Sequence, residues 1–397
     1  MLFKTLDLDL TERCNFACDY CYKHDKNNER LTEEMGKKIL TWFFEQNKVD
    51  ELSVNCLGGE PLLELNLLCM LIDWTKSVRK RPVKWGVTSN LSLLTEAVAG
   101  TLKLYDINVH CSIDGVKEAH DAHRKKKNGE GTWLSVIKAV PLALKVSPYD
   151  TGRYSVHPDS VQYMHEGILN ILGMGFRSVA PVPVFCSDGW TETTISEMYK
   201  QMGLTAEWFM SMCRTGQTNL SVKWIRDGLR RLLNPRIQFS ACGAARGMIS
   251  ADVRGNLWPC HRYTGVDRPK DAMHLGNVTD GIIEERRTTF LESDIPKICI
   301  SCENVFLCAS RCAAERWSTY NDLTKPLPVA CQFSGFVRKW VTYIHAVLSS
   351  EKCKPYLDRY LPNVTKRNRS SSKQSQSSLK RNQRQRSRSD CKPIQNK

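Results

Sequence analysis

Polar and apolar residues alternate from Leu2 to Leu10 (LFKTLDLDL), the period of a strand, and the alternation runs into the stretch TERCNFACDYCYK. Leu31–Gln46 (LTEEMGKKILTWFFEQ) has helical periodicity, with a Thr and two Glu near its start. Leu52–Leu57 reads as a buried strand ending in Gly58-Gly59-Glu60-Pro61, and Leu62–Val78 as a helix. Lys84–Thr88, Ile107–Ile113, Tyr154–His157 and Ser178–Phe185 read as four more strands with helices between them. This alternation predicts an α/β fold with a parallel sheet and right-handed crossovers. In such folds ligands bind at the carboxyl ends of the strands. The cysteine stretch, Gly58–Pro61, Ser89-Asn90 and Asp114-Gly115 all fall at those ends.

Thr191–Leu233 has a helical pattern, regular periodicity fades after Phe239, and Val329–Leu361 reads as a terminal helix. The pattern divides the chain into a core over 1–234, a cysteine-rich second domain with a terminal helix over 235–350, and a basic, disordered tail over 351–397.

A chain of 397 residues with 41% hydrophobic content can bury a substantial core. The start MLFKTLDLDLTERC has no signal-peptide h-region. No apolar run reaches the ~18–20 residues of a membrane span. A cytoplasmic protein with no membrane contact is expected. In a chain without a secretion signal, 17 cysteines argue for metal binding rather than disulfides. The net charge of +15 is uneven: residues 364–397 carry +10, leaving +5 for the rest. Such a tail could hold an acidic peptide or a nucleic acid. One tail is too little to make this a nucleic-acid-binding protein.

Cys14, Cys18 and Cys21 are spaced C-x3-C-x2-C, with Tyr20 just before the last. Three thiolates on one loop can hold three irons of a [4Fe–4S] cube and leave the fourth open to a small molecule. A structural zinc would want a fourth protein ligand. The motif resembles that of the radical S-adenosylmethionine (SAM) superfamily, and Gly58-Gly59-Glu60-Pro61 one strand later resembles the family's GGEP motif. The resemblance implies a partial (β/α)6 barrel of TIM type. It also implies a SAM-chelating cluster on the three cysteines and cleavage of SAM to a 5′-deoxyadenosyl radical, chemistry that belongs to the cofactors. Ser89, Asn90, Ser112 and Asp114 stand where family members contact SAM, Arg124 matches a carboxylate-binding arginine, and Tyr20 is placed near the cluster and adenine.

Seven more cysteines lie between residues 242 and 331: Cys242, Cys260, then Cys299-x2-Cys302-x5-Cys308-x3-Cys312, then Cys331. A zinc ribbon explains four of these. The array resembles the SPASM domain of peptide-modifying radical SAM enzymes, which holds two auxiliary [4Fe–4S] clusters. By that resemblance Cys299, Cys302, Cys308 and Cys331 close one cluster, and Cys242, Cys260 and Cys312 hold the other. The stretch NPRIQFSA ahead of Cys242 lacks a cysteine that anaerobic sulfatase maturases carry there. The fourth iron is then open to a substrate thiolate or completed by His261, Cys186, Cys213 or water. Where sulfatase maturases carry an Asp base after the cysteine matching Cys260, this chain has His261, which can itself serve as a base. Cys186, after the sixth strand, is a candidate hydrogen donor at the barrel mouth.

The resemblance therefore implies a maturase that takes a hydrogen from a peptide or protein and installs a thioether, another cross-link or an oxidation. It would use SAM, three [4Fe–4S] clusters and an electron donor such as flavodoxin or ferredoxin. The thirteen residues before Cys14 leave no room for the leader-binding domain many peptide maturases carry. Two alternatives stand: a sulfatase maturase forming formylglycine, and a non-catalytic iron–sulfur carrier or scaffold.

Overall fold

A computed structural model describes residues 3–23, 27–47, 51–235, 242–264, 273–293, 295–308 and 312–361. The basic run from 362 onward lies outside the described residues.

The chain runs β1 (Thr5–Thr11), α1 (Glu33–Glu45), β2 (Leu52–Gly58), α2 (Leu65–Val78), β3 (Val83–Ser89), α3 (Glu96–Leu104), β4 (Ile107–Cys111) and α4 (Lys117–His123). It continues through α5 (Trp133–Val146), β5 (Thr151–Val156), α6 (Met164–Gly173), β6 (Ser178–Pro183), α7 (Glu192–Arg214), β7 (Ser221–Val222) and α8 (Lys223–Leu233). Strands β1 to β4 pair in chain order, all parallel. A parallel bridge between Ser112 and Arg153 joins β4 to β5, and β5 pairs parallel with β6. The result is an open, barrel-like α/β core.

On β1 the leucines and the acids occupy opposite faces, yet both are buried: Leu6, Leu8 and Leu10 at 0% exposure, Asp7 at 3% and Asp9 and Thr11 at 0%. Both faces of β1 are therefore covered, the leucines within the hydrophobic core and the acids by polar partners.

After α8 come β8 (Met248–Ala251), β9 (Asn256–Trp258), β10 (Gly276–Asn277), β11 (Gly281–Ile282), α9 (Glu284–Glu292), α10 (Lys297–Ile300), α11 (Ala313–Tyr320), α12 (Pro328–Ser350) and α13 (Lys354–Tyr360). β8 pairs parallel with β1, Thr5 facing Met248, so the cysteine-rich region extends the core sheet. β9, β10 and β11 continue it as an antiparallel meander.

Three elements differ from the sequence pattern. β4 stops at Cys111 rather than Ile113, because Ser112 and Ile113 turn to meet Arg153. The helical stretch 191–233 is split by β7, which adds to β6. The terminal helix breaks after Ser350, where Lys352 takes a left-handed φ of 52°, and α13 follows with Tyr356 fully buried. The tail expected from 351 is thus helical over 354–360, because Tyr356 and Cys353 pack into the core. No helix among the described residues is long and apolar enough to cross a membrane.

Candidate active site

The cysteine loop leaves the end of β1 and is held by the loop after β2. Gly59 N–H donates to Thr11 O at 2.8 Å, and Glu60 N–H to Arg13 O at 2.8 Å. A Cβ on Gly58 would meet Thr11 O at 2.1 Å, and one on Gly59 would meet Arg13 O at 2.1 Å. Both glycines are therefore needed for this close approach, and Gly58 also has a φ of +125°. Pro61 then opens a short 3-10 turn.

Glu60 is 1% exposed and points into the strand ends. Its carboxyl accepts from Ser89 Oγ at 2.8 Å, Leu62 N at 3.2 Å and Asn90 N at 2.8 Å. Burial pushes its pKa up to about 7, against these donors. Asn90 reaches the cysteine loop: its Nδ2 lies 2.9 Å from Asn15 Oδ1 and 3.9 Å from Cys14 Sγ. Glu60, Ser89 and Asn90 thus form one unit that fixes the loop carrying Cys14.

Asp114 is 1% exposed and takes Arg124 as a fork, Nε to Oδ2 at 2.6 Å and Nη2 to Oδ1 at 3.1 Å. Tyr20 O–H donates to the same Oδ2 at 2.8 Å, and Ser155 N–H to Oδ1 at 2.8 Å. Burial raises the Asp114 pKa, but the Arg124 guanidinium outweighs it and holds the carboxyl below its usual range. With four hydrogen bonds from three internal partners, Asp114 orients Arg124 and Tyr20. The Arg124 guanidinium also lies 5.4 Å from the Tyr20 ring centroid. Ser112, half-buried, donates its N–H to Ser89 O at 3.1 Å beside this group.

A cavity of about 450 Å³ opens beside Tyr20, lined by His123, His157, Asp159, Ser187 and Asp188 among others. The His123 and His157 rings stack with centroids 3.7 Å apart. Burial drops the His157 pKa to about 4, so its ring is neutral at pH 7.

The acidic face of β1 supplies groups that the sequence pattern did not single out. Lys23, two residues past Cys21 and 1% exposed, pairs with Asp9 at 2.8 Å and Glu12 at 3.5 Å. Burial opposes its charge, but the two carboxylates hold its pKa above the ordinary lysine range. Asp7 Oδ2 lies 2.9 Å from His261 Nδ1, joining β1 to the cysteine-rich region. The D-L-D-L alternation was the available signal for Asp7 and Asp9; nothing local marked Lys23.

The described cysteines form no disulfides. Those of the second region fall into two sets by mutual electrostatic influence. Cys331 is raised to about 11, by burial first and then by Cys308, Cys299 and Cys302. Cys260 is pushed well up by burial and then by Cys312 and Cys242. Thiolates gathered this way oppose one another's ionisation, and a multiply charged metal centre removes that opposition. Among the described residues, no three His, Cys, Asp or Glu side chains close around a single metal ion. Cys186 lies 3.9 Å from Arg262 Nη2, and Cys312 lies 3.9 Å from Nη1 of the same side chain.

Residues 8–160 match the Radical SAM superfamily. The uncharacterized protein MJ0907 of Methanocaldococcus jannaschii is 30% identical over 179 residues, 45% of this chain; the match spans 61% of MJ0907's own length. The radical SAM cyclopropyl synthase TigE of Paramaledivibacter caminithermalis is 22% identical over 81% of this chain and 70% of its own. The serine-type anaerobic sulfatase-maturating enzyme of Bacteroides thetaiotaomicron is 21% identical over 80% of this chain and 84% of its own. The fold matches the solved structure of native anSMEcpe with bound AdoMet and Cp18Cys peptide, at a TM-score of 0.72 and 18% identity, covering 87% of this chain and 99% of that one. Residues 8–160 are thus a radical SAM domain, and the chain is a homologue of the cyclopropyl synthase TigE and of an anaerobic sulfatase-maturating enzyme.

Proposed function

We propose that the chain is a radical SAM maturase that abstracts a hydrogen from a peptide or protein side chain and installs an oxidative modification. The observation that carries this reading is the joining of Cys14, the Glu60–Ser89–Asn90 unit and the Tyr20–Asp114–Arg124 group around one set of strand ends. Cys14, Cys18 and Cys21 would hold a [4Fe–4S] cluster, and the donor set fits: three cysteines on one loop, none in a disulfide, braced by a close glycine contact. Bound SAM and cluster would supply the 5′-deoxyadenosyl radical. Arg124, a fork already oriented by Asp114, suits a ligand carboxylate, and the Tyr20 face and neutral His157 suit a flat, uncharged ring.

The residues from 242 to 331 fit a SPASM-type domain with two auxiliary clusters, Cys299, Cys302, Cys308 and Cys331 in one and Cys242, Cys260 and Cys312 in the other. His261 donates Nδ1–H to Asp7, which leaves the Nε2 lone pair to accept a proton from substrate. That Asp7–His261 pair also favours a second reading, formylglycine formation on a sulfatase-type peptide, in which His261 replaces an aspartate base.

Anaerobic reconstitution with iron and sulfide, then incubation with SAM and a strong reductant, tests the proposal. The expected result is about twelve irons per chain, three cubes of four, with 5′-deoxyadenosine as product. Full clusters without SAM cleavage, with or without candidate peptides, would leave only a carrier or scaffold. Turnover of a sulfatase-type Cys or Ser peptide would select the second reading.

A further inference from the structure

Arg262 is half-buried and sits against two cysteines and a buried carboxylate. Its Nη1 donates to Glu315 Oε1 at 2.7 Å and approaches Cys312 Sγ at 3.9 Å, an N–H···S contact. Its Nη2 approaches Cys186 Sγ at 3.9 Å. The Arg262 backbone N–H also faces the sulfur of Cys260, just before it in sequence. Two of the three thiols in this set therefore face donors from Arg262. The side chain of its carboxylate partner, Glu315, is 6% exposed, and that of Arg262 24%.

An iron–sulfur cluster gains one negative charge on reduction. A fixed cation and N–H donors beside its sulfurs stabilise the reduced state. We propose that Arg262 is a positioning residue that raises the reduction potential of the cluster held by Cys242, Cys260 and Cys312, with Glu315 partly offsetting its charge. This rests on the reading that these three cysteines hold a cluster.

The consequence for the reaction is directional. A substrate radical left by hydrogen abstraction gives up one electron to this site and one proton to His261 Nε2 or solvent. The substrate is then oxidised by two electrons overall, counting the hydrogen atom already removed. The electron leaves to a one-electron carrier of flavodoxin or ferredoxin type. A raised potential favours this route over return of a hydrogen atom, and so oxidation or cross-linking over epimerisation.

The test uses the full chain with Cys14, Cys18 and Cys21 replaced by Ala, so that only auxiliary signals remain in a redox titration followed by electron paramagnetic resonance. Arg262→Gln should lower the midpoint potential of one signal by at least the ~59 mV of a tenfold change in a one-electron equilibrium, leaving the other in place. Arg262→Lys should fall between, and Glu315→Gln should shift the same signal upward. Unchanged potentials in variants that retain iron would overturn the proposal. Loss of that one signal in all three variants would assign Arg262 a purely structural role and overturn it equally. A triple-Ala background that binds no iron would instead bring down the auxiliary-cluster reading, and this inference with it.

Discussion

Asp114 holds Arg124 through two bonds, 2.6 Å from Nε and 3.1 Å from Nη2, and fills its remaining lone pairs with Tyr20 O–H and Ser155 N–H. The carboxylate is spent inside the protein. What it offers a ligand is an arginine and a tyrosine ring held in fixed orientation.

Asp114→Asn should therefore weaken SAM binding without touching SAM directly. Arg124 would remain as a buried charge without its counter-ion, and breaking such a pair costs about 3–5 kcal/mol. Denaturant unfolding of the apoprotein should show a loss in that range, and equilibrium binding a SAM affinity at least tenfold lower. Wild-type values in both assays would mean that Asp114 does not set the position of Arg124.

Gly59→Ala should release the cysteine loop. Its Cβ would lie 2.1 Å from Arg13 O, a backbone atom that cannot move without moving the loop. Iron content after reconstitution should fall by about four per chain, one cube. Gly100 on α3 is the contrast: nothing lies within 4 Å of its Cβ position, and Gly100→Ala should stabilise the helix by ~0.5–1 kcal/mol with iron unchanged.

His120 should make the fold sensitive to acid. It is fully buried, its Nδ1 accepts from Asp114 N–H at 3.2 Å, and its Nε2 lies 3.0 Å from Thr132 Oγ1, whose hydroxyl donates to Arg124 O. Burial lowers its pKa to about 4 from an ordinary value of 6.5. Between those values the unfolded chain binds a proton that the folded chain does not, so stability is complete above 6.5 and is lost as pH falls toward 4. The difference in stability between wild type and His120→Gln, read by thermal unfolding of the apoproteins from pH 7 to 5, should show this slope, because the opposing shift of Glu60 and the parallel one of His157 cancel in the difference.

Lys23→Met should destabilise the core more than its size suggests. Asp9 and Glu12 would be left buried, facing each other's charge with their close cation gone. A loss of about 3–5 kcal/mol is expected, read by denaturant unfolding at pH 7. The loss should shrink in the double variant Lys23→Met, Asp9→Leu, which removes the charge nearest the lysine. Equal losses in the single and double variants would count against the ion pair as the cause.

Cys312→Ser and Cys331→Ser should each remove about four irons from different sets, so the double variant should lose about eight. A double variant that loses no more than either single one would place both cysteines on one centre.

The chain itself determined the strand–helix alternation, the placement of the cysteine loop, Gly58–Pro61, Ser89-Asn90 and Asp114 at strand ends, and the cysteine spacing. These follow from local periodicity and from residues close in sequence, so a linear reading reaches them. For β1, alternation marks which residues share a face but not whether the second face is also covered. Only closure of the sheet decided that Asp7 and Asp9 lie inside, where Asp7 meets His261, 254 residues away, and Asp9 meets Lys23. The pairing of β8 with β1 is equally non-local; it brings the second cysteine region against the core. Arg262 was one basic residue in PCHRYTG until packing placed it between Cys186, Cys312 and Glu315. Its chemistry comes from burial and from distances between distant segments, and those exist only once the chain has folded.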